Sequence, residues 1–194
     1  MPEQTTTKDA ILEAAVHEFA ERGLDGVRME HVARRAGCNK ALVYRHFGDR
    51  HRLFDAALQR RFSDRRALLD ELPEDFGELL VFWAEESRKD PVFMKMILRE
   101  ALEFRGDEPP HASFRRRYYR DQVGLLRRLQ EQGRIDPGLD VEMLFIALLA
   151  VVTLTTALPQ IVTLATGLTP RGRRFRARWH RFLRSLARVL GAGG

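Results

Sequence analysis

The segment Asn39 to Phe47, reading NKALVYRHF, gathers side chains suited to holding a polyanion. An ammonium (Lys40), a phenol (Tyr44), a guanidinium (Arg45) and an imidazole (His46) can each donate hydrogen bonds to phosphate oxygens or to base edges. Covalent chemistry is not indicated anywhere in the chain. The histidines at 17, 31, 46, 51, 111 and 180 are scattered and have no cysteine partner. The sequence lacks a zinc-binding HExxH, a phosphate-cradling glycine loop and a nucleophile elbow. Adjacent carboxylates such as Glu85 and Glu86 point apart on a helix and cannot share one reacting group. The single cysteine, Cys38, excludes an internal disulfide and a multi-cysteine zinc site. Binding is therefore expected rather than catalysis, with no metal and no cofactor.

Short helices are needed to present these groups. Val43 and Phe47 stand four residues apart and predict the buried face of a helix. Lys40, Ala41, Leu42, Tyr44, Arg45 and His46 are then left for a partner, and Asn39 can cap the first turn. Just upstream, Met29, Val32, Ala33 and Ala36 form one apolar face that Gly37 ends. Two short helices joined by about three residues including a glycine are the helix-turn-helix pattern. Ahead of them, Ile11, Ala15 and Phe19 recur at spacing four with Leu12 and Val16 alongside. Thr6 and Asp9 suggest a capping box, and Gly23 a stop. Behind them, Asp49 can cap a fourth helix carrying Leu53, Phe54, Ala57, Leu58, Phe62, Leu68 and Leu69.

Taken in order, ILEAAVHEFAERG, VARRAG, KALVYRHF and the closing DR resemble the tetracycline-repressor (TetR) family over about residues 8 to 54. The resemblance implies an N-terminal DNA-binding head of residues 1–48, followed by a helical ligand-binding and dimerisation domain of residues 49–194. It implies that Tyr44 and His46 contact the DNA backbone, with the Tyr44 hydroxyl on a phosphate. Arg50 takes the place of a common lysine and is expected to pair with a phosphate at the positive end of its helix. Asn39 replaces a common serine and still caps. Leu42 stands where threonine is frequent, and an exposed leucine there could meet a thymine methyl. Arg28 replaces a threonine and offers a guanidinium to phosphate. Glu30 falls on the DNA side, where it would repel phosphate or accept from a cytosine amine. Cys38 replaces a valine and is expected to be a small apolar filler.

The remainder reads as helix to the end, giving an all-α fold with no alternating strand pattern and no repeat. Of the 194 residues 44% are hydrophobic and 31% charged, enough apolar material for a core. Expected helices cover Phe76–Arg88, a segment opened by Pro91, Phe114–Gln132, Val141 to about Leu158, and Phe175–Leu190. The run Met143–Leu158 is shorter than the roughly 20 residues that span a bilayer and reads as a buried helix. The N-terminus does not resemble a signal peptide, and a cytoplasmic protein is expected. Trp83, Met94, Phe104 and Tyr118 are the candidate lining of a site for an unknown small-molecule effector, with Arg99, Arg105 or His111 as possible polar contacts. The net charge of +6 suits nucleic acid or an anionic membrane and by itself names neither; a double-stranded DNA operator as partner is what the resemblance implies. Arg171, Arg173, Arg174, Arg176, Arg178, Arg181, Arg184 and Arg188 crowd the last helix without an acid among them, opposite an apolar stripe. The resemblance implies a homodimer formed by the last two long helices. The alternative is a basic amphipathic surface resting on a membrane, or a structural helical protein without DNA function.

Overall fold

The computed structural model describes residues 7–68, 72–103, 106 and 112–191. Among them are ten α-helices and no strand: α1 (Thr7–Gly26), α2 (Met29–Arg35), α3 (Lys40–Phe47), α4 (Arg50–Ala67), α5 (Phe76–Lys89), α6 (Pro91–Glu103), α7 (Ala112–Glu131), α8 (Val141–Ala157), α9 (Pro159–Thr166) and α10 (Arg173–Leu190). The all-α expectation is met. The described residues fall into two compact units. One lies within Met1–Ala67 and Val92–Arg115, the other within Leu68–Pro91 and Arg116–Gly194.

The first unit is built on the periodicity of α1. Ile11, Ala15 and Phe19 are fully buried, as their spacing predicts, and the Phe19 ring meets Phe54 of α4 edge-on at 5.0 Å. Val32, Val43 and Leu53 bring α2, α3 and α4 onto the same core. α6 joins this unit although it lies far along the chain. Its Phe93 and Met96 are buried, and Phe93 packs edge-on to Phe62 of α4 at 5.3 Å. Arg115, at the start of α7, grips Glu100 of α6 with two hydrogen bonds of 3.0 and 2.5 Å.

The second unit packs α5, most of α7, α8 and α10 around Leu79, Leu80, Leu126, Leu148 and Leu183. Trp83 and Tyr119 both approach the Phe145 ring, at 6.5 and 6.1 Å between centroids. Asp75 and Asp140 cap α5 and α8 by accepting from Glu78 N–H and from Glu142 and Met143 N–H. The arginines of α10 are partly neutralised from a distance. Glu85 of α5 accepts from Arg176 at 2.9 Å and lies 2.9 Å from His180, while Glu78 accepts from Arg184 at 2.5 Å. Arg171, Arg173, Arg174, Arg178 and Arg181 stay exposed.

Two features differ from the sequence reading. α8 ends at Ala157 with Leu158 as its cap, as expected, but a further short helix follows it. Proline has no N–H and its ring would collide with the preceding turn, yet its fixed φ suits the first turn of a new helix, so Pro159 opens α9. The two helices meet at a bend of 83°. The apolar run is also not buried all round, because Met143, Ile146, Leu149 and Leu154 face outward. No single helix among the described residues is long and apolar enough to cross a membrane; α8 and α9 meet that measure only as a bent pair. Thr6 of the expected capping box and Leu69 of the fourth helix lie outside the described residues.

Candidate nucleic-acid interface

Backbone chemistry sets the geometry of the head. α2 ends where Gly37 adopts φ 68°, a left-handed conformation that costs a glycine little. Gly37 N–H then donates to Arg34 O and Cys38 N–H to Ala33 O, at 3.3 and 3.0 Å. This is a Schellman ending, which satisfies carbonyls the helix would leave open. Asn39 starts α3 in an extended conformation, and its side chain accepts from Leu42 N–H at 2.8 Å. Asp49 does the same for α4, accepting from Arg52 N–H at 2.9 Å. These local bonds hold α2 and α3 as a helix-turn-helix.

The orientation of α3 follows from which face is buried. Val43 is fully buried and Phe47 nearly so. At 3.6 residues per turn, Ala41 and Arg45 lie opposite that face, with Leu42 and Tyr44 flanking them. Lys40, Ala41, Arg45 and His46 are exposed, and Tyr44 retains 43% exposure, so its ring is not a core aromatic. Leu42 is half-buried rather than free, and its N–H is committed to Asn39. Arg28, at the N-cap of α2, is exposed, and its side chain makes no cap hydrogen bond.

Three of the expected contact residues, Glu30, Lys40 and Arg50, are already held in ion pairs. Glu30 of α2 is hydrogen-bonded to Lys40 at the start of α3. The Lys40 ammonium holds the Glu30 carboxyl below the usual carboxylate range, and Glu30 holds Lys40 above the usual lysine value. Lys40 also lies 5.5 Å from the centre of the Tyr44 ring. Arg50 donates to Asp25 O at 2.9 Å and to Asp25 Oδ1 at 2.6 Å, fastening the start of α4 to the end of α1. A phosphate at Arg50 would meet a guanidinium pre-oriented by Asp25, and would have to share it.

The residues that orient α2 were not visible in the sequence. Glu18 of α1 is buried and accepts from Arg22 at 2.9 Å and from Arg35 of α2 at 2.8 Å. Burial alone would raise its carboxyl, but the hydrogen bonds from Arg22 and Arg35 outweigh that and hold it below the usual range. Arg35 also donates to Glu21 at 2.9 Å, and as a cation in the last turn of α2 it complements the helix dipole. Helical periodicity points to apolar positions, so a buried carboxylate with a partner 17 residues away leaves no signal in it.

Of the four candidate effector residues, the three described do not all fall in one unit. Trp83 and Tyr118 lie in the second unit, half-buried, with Tyr118 edge-on to Tyr119 at 5.4 Å. Met94 lies in the first unit, and Phe104 falls outside the described residues, as do Arg105 and His111. Arg99 donates to Glu21 O at 3.3 Å, within the first unit.

Comparison with known proteins agrees with this geometry. The family described as "Bacterial regulatory proteins, tetR family" matches residues 11–57, and the family described as "Tetracyclin repressor-like, C-terminal domain" matches residues 75–188. The chain is 29% identical over 161 residues to the HTH-type transcriptional repressor SCO4008 of Streptomyces coelicolor, covering 83% of this chain and 84% of that one. Its fold resembles the transcriptional regulator SCO4942 of Streptomyces coelicolor, with a TM-score of 0.77, 20% identity, and 93% and 98% of the two chains covered. It also resembles the regulator FadR of Bacillus subtilis, solved in complex with stearoyl-CoA, with a TM-score of 0.65, 16% identity, and 95% and 98% covered.

Proposed function

Because the chain belongs to the TetR family of bacterial regulatory proteins, we propose that it is a cytoplasmic transcriptional repressor that binds a palindromic operator as a homodimer and leaves it when a small molecule binds. The observation that carries the DNA-binding part is the division of α3. Val43 and Phe47 are buried, while Lys40, Ala41, Tyr44, Arg45 and His46 face outward. A recognition helix needs this arrangement to enter a major groove while staying anchored to its neighbours. Residues 1–48 act as the reading head, and residues 49–194 bind the effector and the second copy.

Roles follow from chemistry and position. Tyr44, His46, Arg28 and Arg50 reach backbone phosphates, which fixes register without reading sequence. Ala41 and Arg45, opposite the buried face, meet base edges. An arginine there suits the O6 and N7 acceptors of guanine. Leu42 offers its remaining exposed surface to a thymine methyl.

The dimer reading rests on the outer faces of α8 and α10. Met143, Ile146, Leu149 and Leu154 on α8, with Phe182 and Val189 on α10, leave apolar surface in water. From Met143 to Pro170 the chain carries no charged residue. A second copy applied about a two-fold axis would cover this surface in a four-helix bundle. The effector reading draws on Trp83 and Tyr118 of the second unit. FadR of Bacillus subtilis, which shares the fold, was solved with stearoyl-CoA bound. A ligand that binds the DNA-free state 100-fold tighter than the operator-bound state costs the complex about 2.7 kcal/mol.

The test is selection of duplexes from random DNA by the full chain, followed by titration of the selected site. A two-fold symmetric site bound by two chains is expected. Recovery of unselected sequence at every round would refute the operator reading. Compounds from a thermal-shift screen are then added to the complex, and hits that stabilise the protein without weakening DNA binding would refute release by ligand.

A further inference from the structure

α1 does not run unbroken to its end. Gly23 sits at φ 70° and ψ 178°, a conformation essentially confined to glycine. The break leaves Leu24 N–H without the carbonyl four residues back that a continuous helix supplies. Glu103, the last residue of α6, takes that donor, with Oε2 2.8 Å from Leu24 N. Its carboxylate fills the space a side chain at 23 would need, since a Cβ on Gly23 would stand 1.8 Å from Glu103 Oε1. In effect, the short turn Leu24–Gly26 is capped by an acid 79 residues away in sequence.

Four further observations give this contact weight. The segment it holds leads directly into the reading head: Val27 and Met29 are buried, and α2 starts at Met29. A small rotation at residues 24–26 is therefore passed to α2 and α3. The same segment is held from another side by Arg50, which bonds Asp25 O and Oδ1. α6 adds a second grip through Arg99, which donates to Glu21 O, one of the last carbonyls before the break. Finally, Glu103 is badly placed for its own helix. A carboxylate at a C-terminus opposes the helix dipole, and the last turn of α6 holds no basic residue. A locally unfavourable residue whose oxygens satisfy a distant backbone donor signals a role outside its own helix.

We propose that Glu103 is a positioning residue for operator binding, its carboxylate capping Leu24 and thereby fixing the turn from which the two helices of the reading head are hung. The proposal rests on the DNA-binding reading above. Glu103 touches no DNA; it acts through the angle at which α2 leaves α1. Displacing the last turn of α6 by an ångström or two would uncap Leu24 and loosen the head without removing any of the side chains proposed to contact DNA.

The test uses the full chain, a duplex selected from random DNA by the wild-type protein, and the variants Glu103→Gln and Glu103→Ala. Both remove the charge, but only Gln keeps an acceptor, so their difference isolates the cap from long-range electrostatics. Amide hydrogen exchange at Leu24, measured without DNA, reports the cap directly. Exchange at Leu24 should be at least tenfold faster in Glu103→Ala than in Glu103→Gln. The operator Kd should be at least fivefold weaker in Glu103→Ala, with the same salt slope in both, because no phosphate contact is lost. Operator affinities within twofold of each other would overturn the proposal, and so would equal exchange at Leu24. If Glu103→Ala does not fold, Glu103→Asp replaces it, keeping the charge and withdrawing the carboxylate by one methylene, with the same expected order and the same refutation. A wild-type chain that selects no duplex would sink the DNA-binding reading itself, an outcome read before any variant is made.

Discussion

Replacing Glu30 by glutamine should strengthen DNA binding and make it more sensitive to salt. In the free protein the Glu30 carboxylate is hydrogen-bonded to Lys40, so the first cation of α3 is cancelled before DNA arrives. Because Lys40 holds the Glu30 carboxyl below its ordinary range, the pair stays charged through the neutral and mildly acidic conditions of a binding assay. Glutamine keeps the shape and an acceptor but releases the charge of Lys40 to a phosphate. Each phosphate neutralised adds about 0.9 to the slope of log K against log salt, so two subunits add about 1.8. Between 200 and 50 mM salt that slope corresponds to about 12-fold extra tightening relative to wild type. Fluorescence anisotropy of a labelled operator across that salt range measures it. A slope within about 0.5 of wild type would refute the reasoning, because Lys40 would then not be competing for phosphate. Weaker binding confined to sites with one particular C·G pair would also refute it, and would make Glu30 a reader of a cytosine amine instead.

Other expectations follow from the same geometry. Tyr44→Phe removes one hydroxyl from an exposed ring and should weaken binding by about 1 kcal/mol on every duplex alike, seen as an unchanged sequence motif after selection. Glu18→Ala removes the buried carboxylate that joins α1 to α2, but leaves Arg35 in solvent and still bonded to Glu21, so it should cost about 1–2 kcal/mol of stability in urea unfolding. Glu18 is depressed in the folded chain, so its contribution is present above its unfolded value and is lost as pH falls through its folded one. The acid limb of wild-type stability should therefore flatten in Glu18→Ala, and an identical pH profile would count against the clasp. Ile146→Glu places a charge on the exposed apolar face of α8 and should convert a dimer of 22.4 kDa chains to monomer in sedimentation at micromolar concentration. A variant that remains dimeric would move the interface elsewhere.

What the sequence determined by itself is what depends on neighbours a few residues apart. The spacing of Ile11, Ala15 and Phe19, the pair Val43 and Phe47, the stop at Gly37, and the caps Asn39 and Asp49 all specify local backbone, and each is found where its pattern points. Helical periods and caps are interactions within a single turn, so one chain read in order reveals them. The outward set on α3 followed, because burial of one face leaves the other. The tertiary structure decided which of those outward groups are free. Lys40 is held by Glu30 of another helix, and Arg50 by Asp25, 25 residues away. It also decided how the head is held in place, through Glu18 with Arg35 and through Glu103 on Leu24. The arginines of α10, which meet no acid in their own helix, find Glu78 and Glu85 of α5. Charged side chains pair with whatever the fold brings within a few ångströms. Their partners sit at no fixed sequence spacing, so only the packed chain reveals them.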